Sequence, residues 1–286
     1  MRDRLFGTFL LVVIAIGAPT LALDGQDEES RILSDKWYLS LGGSSTDFNT
    51  RGAVGFGSVV GTFIRLEEQL DLDSNQSNIR FNGVYQFNRK HSIDFTFGDS
   101  SRDGTSMIED SIIVGDDGDE VEFMVGALVE TAFDTSSAKI FYKYSFINNG
   151  KTQAGIGAGL SIFDYKLSLE GTGFVDDGSG GGPQQEFVRV SEDILAPVPS
   201  FNLFIHHAFM PKLIFRATAA FFDINAGDID GGLIETRGTI DWFFNRRIGI
   251  GGGLERTDID FADEGDDPLL VQVKTNSWIF YLSSTF

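Results

Sequence analysis

The sequence predicts an all-β chain: an antiparallel up-and-down β-barrel that crosses a membrane with about ten strands over residues 36–286. Three observations predict it. The first is the last stretch, Asn276 to Phe286 (NSWIFYLSSTF), in which Trp278, Phe280, Leu282 and Phe286 fall on one face with Ser284. Ile279, Tyr281, Ser283 and Thr285 fall on the other. A period of two makes a strand with unlike faces. In water such an apolar edge invites aggregation; in a membrane barrel its outer face meets lipid and the last strand closes on the first. The second is the set of short basic turns: Asn88-Arg89-Lys90, Asn148-Asn149-Gly150-Lys151, Met210-Pro211-Lys212 and Asn245-Arg246-Arg247. The longer connections are acidic and Gly-rich, as on the extracellular rim of an outer-membrane barrel whose short turns are periplasmic. The third is composition: 27 Phe and 34 Gly with a mean hydropathy near zero, and no internal apolar run of membrane-helix length. Soluble sandwiches share such a composition, so it only supports the other two.

Taken in order, Arg2 and Arg4 precede an apolar run from Leu5 to Ile16, and Thr20-Leu21-Ala22 offers small residues for cleavage. Residues 1–22 are expected to be an export signal, and residues 23–35 an acidic periplasmic tether. The first strand is Lys36 to Gly42, with Trp37, Leu39 and Leu41 on one face, followed by a long polar connection containing Gly61 to Leu72. Asn78 to Phe87 is the second strand, with Ile79, Phe81, Tyr85 and Phe87 outward and Arg80, Asn82, Val84 and Gln86 inward. The third, His91 to about Asp99, turns Ile93, Phe95 and Phe97 out and Ser92, Asp94 and Thr96 in.

An acidic excursion is expected from Ser100 to about Glu130, around Glu109, Asp110, Asp116, Asp117, Asp119, Glu120 and Glu122; alternation at Val121, Phe123, Val125 and Val129 suggests a strand starting within it. The chain re-enters at Lys139 to Phe146, turns at Asn-Gly, and continues as Ala154 to Phe163, whose Gly155, Gly157 and Gly159 point inward and leave room in a narrow lumen. The strict period of two, with no helix following, argues against a phosphate loop. After a Gly/Asp loop at Asp176 to Pro183 and a further excursion, strands are expected at Pro199 to Phe209, from Leu213, up to Phe244 and from Ile248. An acidic loop (Asp258, Asp260, Asp263, Glu264, Asp266, Asp267) leads to the final strand. Four tight turns plus a first and last strand give about ten strands. Eight follow if one weak hairpin lies outside the membrane, and twelve if Gly55 to Leu66 contributes a pair.

Ile64 to Leu72 (IRLEEQLDL), followed by IRFNGVYQFNRKHSIDFTFGDSSRDG at Ile79 to Gly104, resembles a group of largely uncharacterised proteobacterial outer-membrane proteins. That group is loosely related to the small barrels of the outer-membrane protein A, protein W and opacity type. It tends to show an acidic LEDDLGL-like segment and then YRFN-R-H-IDF; Gln69 and Asp71 depart from the first part. The resemblance implies a barrel fold and an outer-membrane location, and no activity. The end of the chain also resembles the C-terminal signal read by the barrel-assembly machinery, carried here by Trp278, Phe280, Leu282 and Phe286, with Ser284 where that signal often has Tyr.

The net charge of −20 argues against nucleic acid as a partner, and zero Cys excludes disulfides and thiolate chemistry. The expected partners are outer-membrane lipid and lipopolysaccharide, the assembly machinery and a small solute, with no cofactor and no metal. The inward charges are Arg80, Lys139, Lys143, Arg216 and Arg237 against Asp94, Glu235, Asp241 and Glu255. They are expected to pair across the lumen, since an unpaired buried charge is costly; the other reading is a polar passage for a small solute. His91, His206 and His207 are expected near the periplasmic rim, where a barrel hydrolase does not keep its catalytic groups. Trp37, Tyr85, Tyr142, Tyr144, Trp242 and Trp278 are expected in the lipid-facing band. Function is expected to be non-enzymatic: structural, or passing small solutes through the lumen or sideways into the bilayer. The alternatives are surface binding through the acidic loops and, further off, a membrane enzyme.

Overall fold

The computed structural model describes residues 31–54, 64–109, 111–114, 121–175, 184–227, 229–263 and 269–286. The expected export signal, part of the tether, the Asp176–Pro183 loop and several loop acids (Asp110, Asp116, Asp117, Asp119, Glu120, Glu264, Asp266, Asp267) lie outside these residues. Ten strands form a closed antiparallel barrel. They are β1 (Trp37–Val54), β2 (Asn75–Gln86), β3 (His91–Met107), β4 (Leu128–Asn148), β5 (Thr152–Val175), β6 (Gln184–Met210), β7 (Leu213–Ala226), β8 (Ile229–Phe243), β9 (Ile248–Asp263) and β10 (Leu269–Thr285). Each pairs with its neighbours in sequence, and β1 pairs with β10 from Tyr38–Thr285 to Val54–Leu269, which closes the wall. At the seam the Trp37 N–H donates to the Phe286 carbonyl at 2.9 Å, and the Phe286 N–H returns to Trp37 at 3.1 Å.

The four basic turns lie together at one rim with both ends of the barrel. From that rim most of the first five outward alternate positions on each strand are apolar, with exceptions such as Ser284 on β10, His207 on β6 and Asp99 on β3. Phe280, Leu282 and Trp278 are about 60 % exposed on the outer face, whereas Ile279, Tyr281 and Ser283 between them are buried. Nine to eleven residues of tilted strand cross a hydrocarbon core, which matches this band.

Most strands are longer than the sequence pattern suggests. β5 and β6 run 24 and 27 residues, and Gly43–Val54, Ser100–Met107, Gln184–Val198 and Asp258–Asp263, expected in connections, are strand. The reason is a reversal of polarity. In the membrane part of β4, Ile140, Tyr142 and Tyr144 face out, and Lys139, Phe141 and Lys143 face in. Higher up, Asp134 and Glu130 face out, and Phe133 and Val129 face in. The period stays two, but beyond the bilayer the outer face meets water and the inner face becomes an apolar core. The residues from Gly55 to Leu66 do not supply a membrane hairpin among those described: Ile64–Arg65 pairs briefly with β1 and leads into a short helix, Leu66–Gln69.

Two apolar clusters cap the interior. At the extracellular end Leu66, Leu70 and Leu72 pack with Phe123, Phe133 and Phe163. At the periplasmic end a 3₁₀ turn, Arg31–Ser34, buries Ile32 and Leu33 against Tyr38, Ala208, Ile214 and Phe243. The described end of the expected tether is thus packed into the barrel mouth, and Gln86 Nε2 donates to the Leu33 carbonyl at 2.9 Å.

Candidate functional site

Between the two clusters lies a belt of charge built from β2, β3, β4, β7, β8 and β9. Alternation on each strand turns one charged side chain or more inward, and closure brings distant strands face to face. Arg80 Nη1 on β2 meets Glu255 Oε1 on β9 at 2.5 Å, and Lys139 on β4 meets Glu235 on β8. Between adjacent strands, Lys143 pairs with Asp94, and Arg216 Nε with Asp241 Oδ2 at 2.6 Å. Arg237 Nε stands 3.7 Å from Glu255 Oε2, and its Nη1 donates to Asn82 Oδ1 at 2.8 Å. All nine sequence-predicted lumen residues are therefore placed inside the barrel and in ion pairs.

Neighbouring groups hold the belt in place. Tyr38 Oη donates to Asp241 Oδ1 at 3.1 Å, and the Arg216 guanidinium lies 4.0 Å from the Tyr38 ring centroid. The β5 glycines leave the space these side chains take. A Cβ on Gly157 would lie 2.9 Å from Lys143 Cγ, and one on Gly159 would lie 2.8 Å from the Phe141 ring. Burial without a partner is costly for any of these ions, whereas a paired and hydrogen-bonded set is tolerated. Two small cavities flank the belt. A lower one of ≈ 60 Å³ is lined by Arg216, Arg237 and Thr218, and an upper one of ≈ 110 Å³ by Arg80, Asn78 and Ser100.

A second buried ion was missed in the sequence. Arg102 of β3 sits inside the extracellular cluster with no side-chain exposure. Its guanidinium is 4.1 Å from the Phe48 ring centroid and 5.0 Å from that of Phe133. It donates to Glu67 Oε1 at 2.7 Å and to Thr50 Oγ1 at 3.1 Å, and so pins the short helix to the wall. Burial pulls its pKa below the usual arginine value, and Glu67 opposes that fall. Ile32 and Leu33 were also missed. The only sequence signal for Arg102 is its place one step inward in the reversed alternation of β3.

The three histidines lie toward the periplasmic rim: His91 beside Tyr142 at 2.5 Å, His206 inside near Gln153, and His207 facing out with Thr152 at 2.9 Å. The Trp37 and Tyr85 rings lie 4.6 Å apart at a tilt of 41° on the outer face, where Tyr142, Trp242 and Trp278 are also exposed. The four C-terminal positions Trp278, Phe280, Leu282 and Phe286 all face outward.

No family model matches the sequence, and no curated protein does. Among solved structures the chain is similar to the outer membrane protease OmpT from Escherichia coli, with 11% identity over 88% of this chain and 97% of that one and a TM-score of 0.53. It also aligns with the outer membrane protein OprG from Pseudomonas aeruginosa (9% identity, 89% and 99% coverage, TM-score 0.37). A third is CymD, a monoaromatic hydrocarbon channel (10% identity, 91% of each chain, TM-score 0.40). At such identities the likeness is one of fold and brings no activity with it. With its closed ten-strand wall, lipid-facing apolar band and charged interior, the chain is an outer-membrane β-barrel.

Proposed function

We propose that this barrel is a closed, non-enzymatic envelope protein, a structural element whose lumen does not conduct at rest. The observation that supports this reading is the belt: nine charges in mutual ion pairs, with an apolar cluster beyond them at each end. An open pore keeps its lining charges hydrated; these are held by one another. The three histidines lie at the rim away from the extracellular face, so they do not supply a surface hydrolase with its base. Residues 1–22 act in this reading as the export signal. Trp278, Phe280, Leu282 and Phe286 present the assembly machinery with its outward aromatic row, and lipopolysaccharide surrounds the upper wall. The test is conductance of the refolded chain in a planar bilayer. Silence with heat-modifiable gel migration agrees with the proposal, and a steady salt-dependent current refutes it.

A second reading, surface binding, is favoured by the extracellular extension. There Asp99, Asp103, Glu130 and Asp134 are exposed on the outer faces of β3 and β4, below exposed Met107 and Leu128. Cells displaying the chain with these four neutralised to Asn or Gln, compared for attachment to a cationic surface, test that role.

A further inference from the structure

We infer that the lower lumen cavity is a binding site for one small monovalent anion of chloride size. The inference rests on the closed-lumen reading. The belt holds five cations, Arg80, Lys139, Lys143, Arg216 and Arg237, against four carboxylates, Asp94, Glu235, Asp241 and Glu255. Among the described residues of the belt one positive charge is left over. In a barrel walled by lipid, an uncompensated buried charge carries a large desolvation penalty.

The geometry points to Arg237 as the odd cation. Lys139, Lys143 and Arg216 each have a carboxylate of their own. Arg80 and Arg237 share Glu255, and the division is unequal: Arg80 takes Oε1 at 2.5 Å, and Arg237 stays 3.7 Å from Oε2, beyond hydrogen-bond length. Glu255 Oε2 has no hydrogen-bond partner, and the bond Arg237 does make is to the neutral Asn82.

Arg237 faces the lower cavity together with Arg216 and the hydroxyl-bearing Ser40, Thr218 and Thr239. Asp94 also lines it, with Oδ2 engaged by Lys143 and Oδ1 without a hydrogen-bond partner, which leaves the Arg237 side as the seat for an anion. Two guanidinium groups and three hydroxyls face a cavity that is also lined by apolar groups such as Val84 and Ile279, and such donors are the chemistry that replaces the hydration shell of an anion. The volume of ≈ 60 Å³ sets the size. About 10–15 Å³ of such space holds one water, so there is room for a single chloride, bromide or formate, and not for the much larger gluconate.

The full chain, refolded in detergent, is crystallised in sodium bromide and examined for anomalous scattering. One bromide peak in the lower cavity beside Arg237 is expected. A peak elsewhere in the lumen, or none, overturns the inference. In solution, thermal unfolding is followed in sodium chloride and in sodium gluconate at equal ionic strength. The midpoint is expected to rise by about 3 °C per tenfold increase in chloride once the site is near saturation, and not with gluconate. Arg237→Gln removes that difference; if this variant does not fold, Thr218→Val, which deletes one donor and keeps the charge, weakens it. Equal midpoints in the two salts overturn the inference. A current through the wild-type barrel would instead refute the closed lumen, and the bromide position would still decide the anion site.

Discussion

Arg102 carries its charge into an apolar cluster because Glu67 and Thr50 meet it there and two aromatic rings flank it. Removing one partner of such a pair leaves the other charge buried and unmatched. Arg102→Met is expected to cost about 3–5 kcal/mol, read as a fall in stability in urea. Arg102→Met combined with Glu67→Leu is expected to recover most of that loss. If the single and double variants are equally destabilised, packing and not the pair holds the helix. Gly159 shows the opposite constraint. A Cβ there would lie 2.7 Å from the Phe141 Cα and 2.8 Å from its ring, so Gly159→Val is expected to block folding, seen as loss of heat-modifiable migration. Both glycine and belt residues were legible in the sequence, since polar side chains or glycines alternate there with unmistakably apolar ones. Arg102 was not, because in its part of β3 the outward neighbours are Ser101 and Asp103, and an alternation of polar with polar reads as loop.

At the scale of the strand, the same reversal explains why element existence was readable and element length was not. The membrane part of each strand announces itself by an outward apolar row. Above the bilayer the row moves to the inside, and β4, β5 and β6 continue without any change of period. Hydrogen-bonded pairing continues as long as one face has something to bury against, and Phe133, Phe163, Tyr165 and Leu169 provide it. The rows differ in their tolerance of charge. Leu282 lies midway between Trp278 and Phe286 along the lipid face of β10, so Leu282→Arg is expected to lower stability by about 2–4 kcal/mol in lipid vesicles. Lys274→Glu, on the same face beyond the band, is expected to cost far less, limited to its 3.3 Å pair with Asp258. Equal costs at both positions would mean that the apolar band is misplaced.

For the whole molecule, the interior is three barriers in series: the Ile32–Leu33 turn, the charge belt, and the extracellular cluster around Leu66 and Leu70. Current through a series path is set by its tightest segment, so opening one seal leaves the others in control. Leu33→Asp puts a charge into the periplasmic mouth and is expected to expel the turn, which shows as protease cleavage near residue 33, while the barrel stays silent in a bilayer. Replacing Lys139 and Glu235 together with Ala removes a cross-lumen pair without leaving a lone charge and is expected to be silent too. Deleting residues 64–72 alone gives the same result. Only a chain combining all three changes is expected to conduct, with a current that falls when Arg80 is also neutralised. A belt variant that conducts alone would show that the two apolar clusters are packing and not seals, and that the ion pairs by themselves keep this barrel shut.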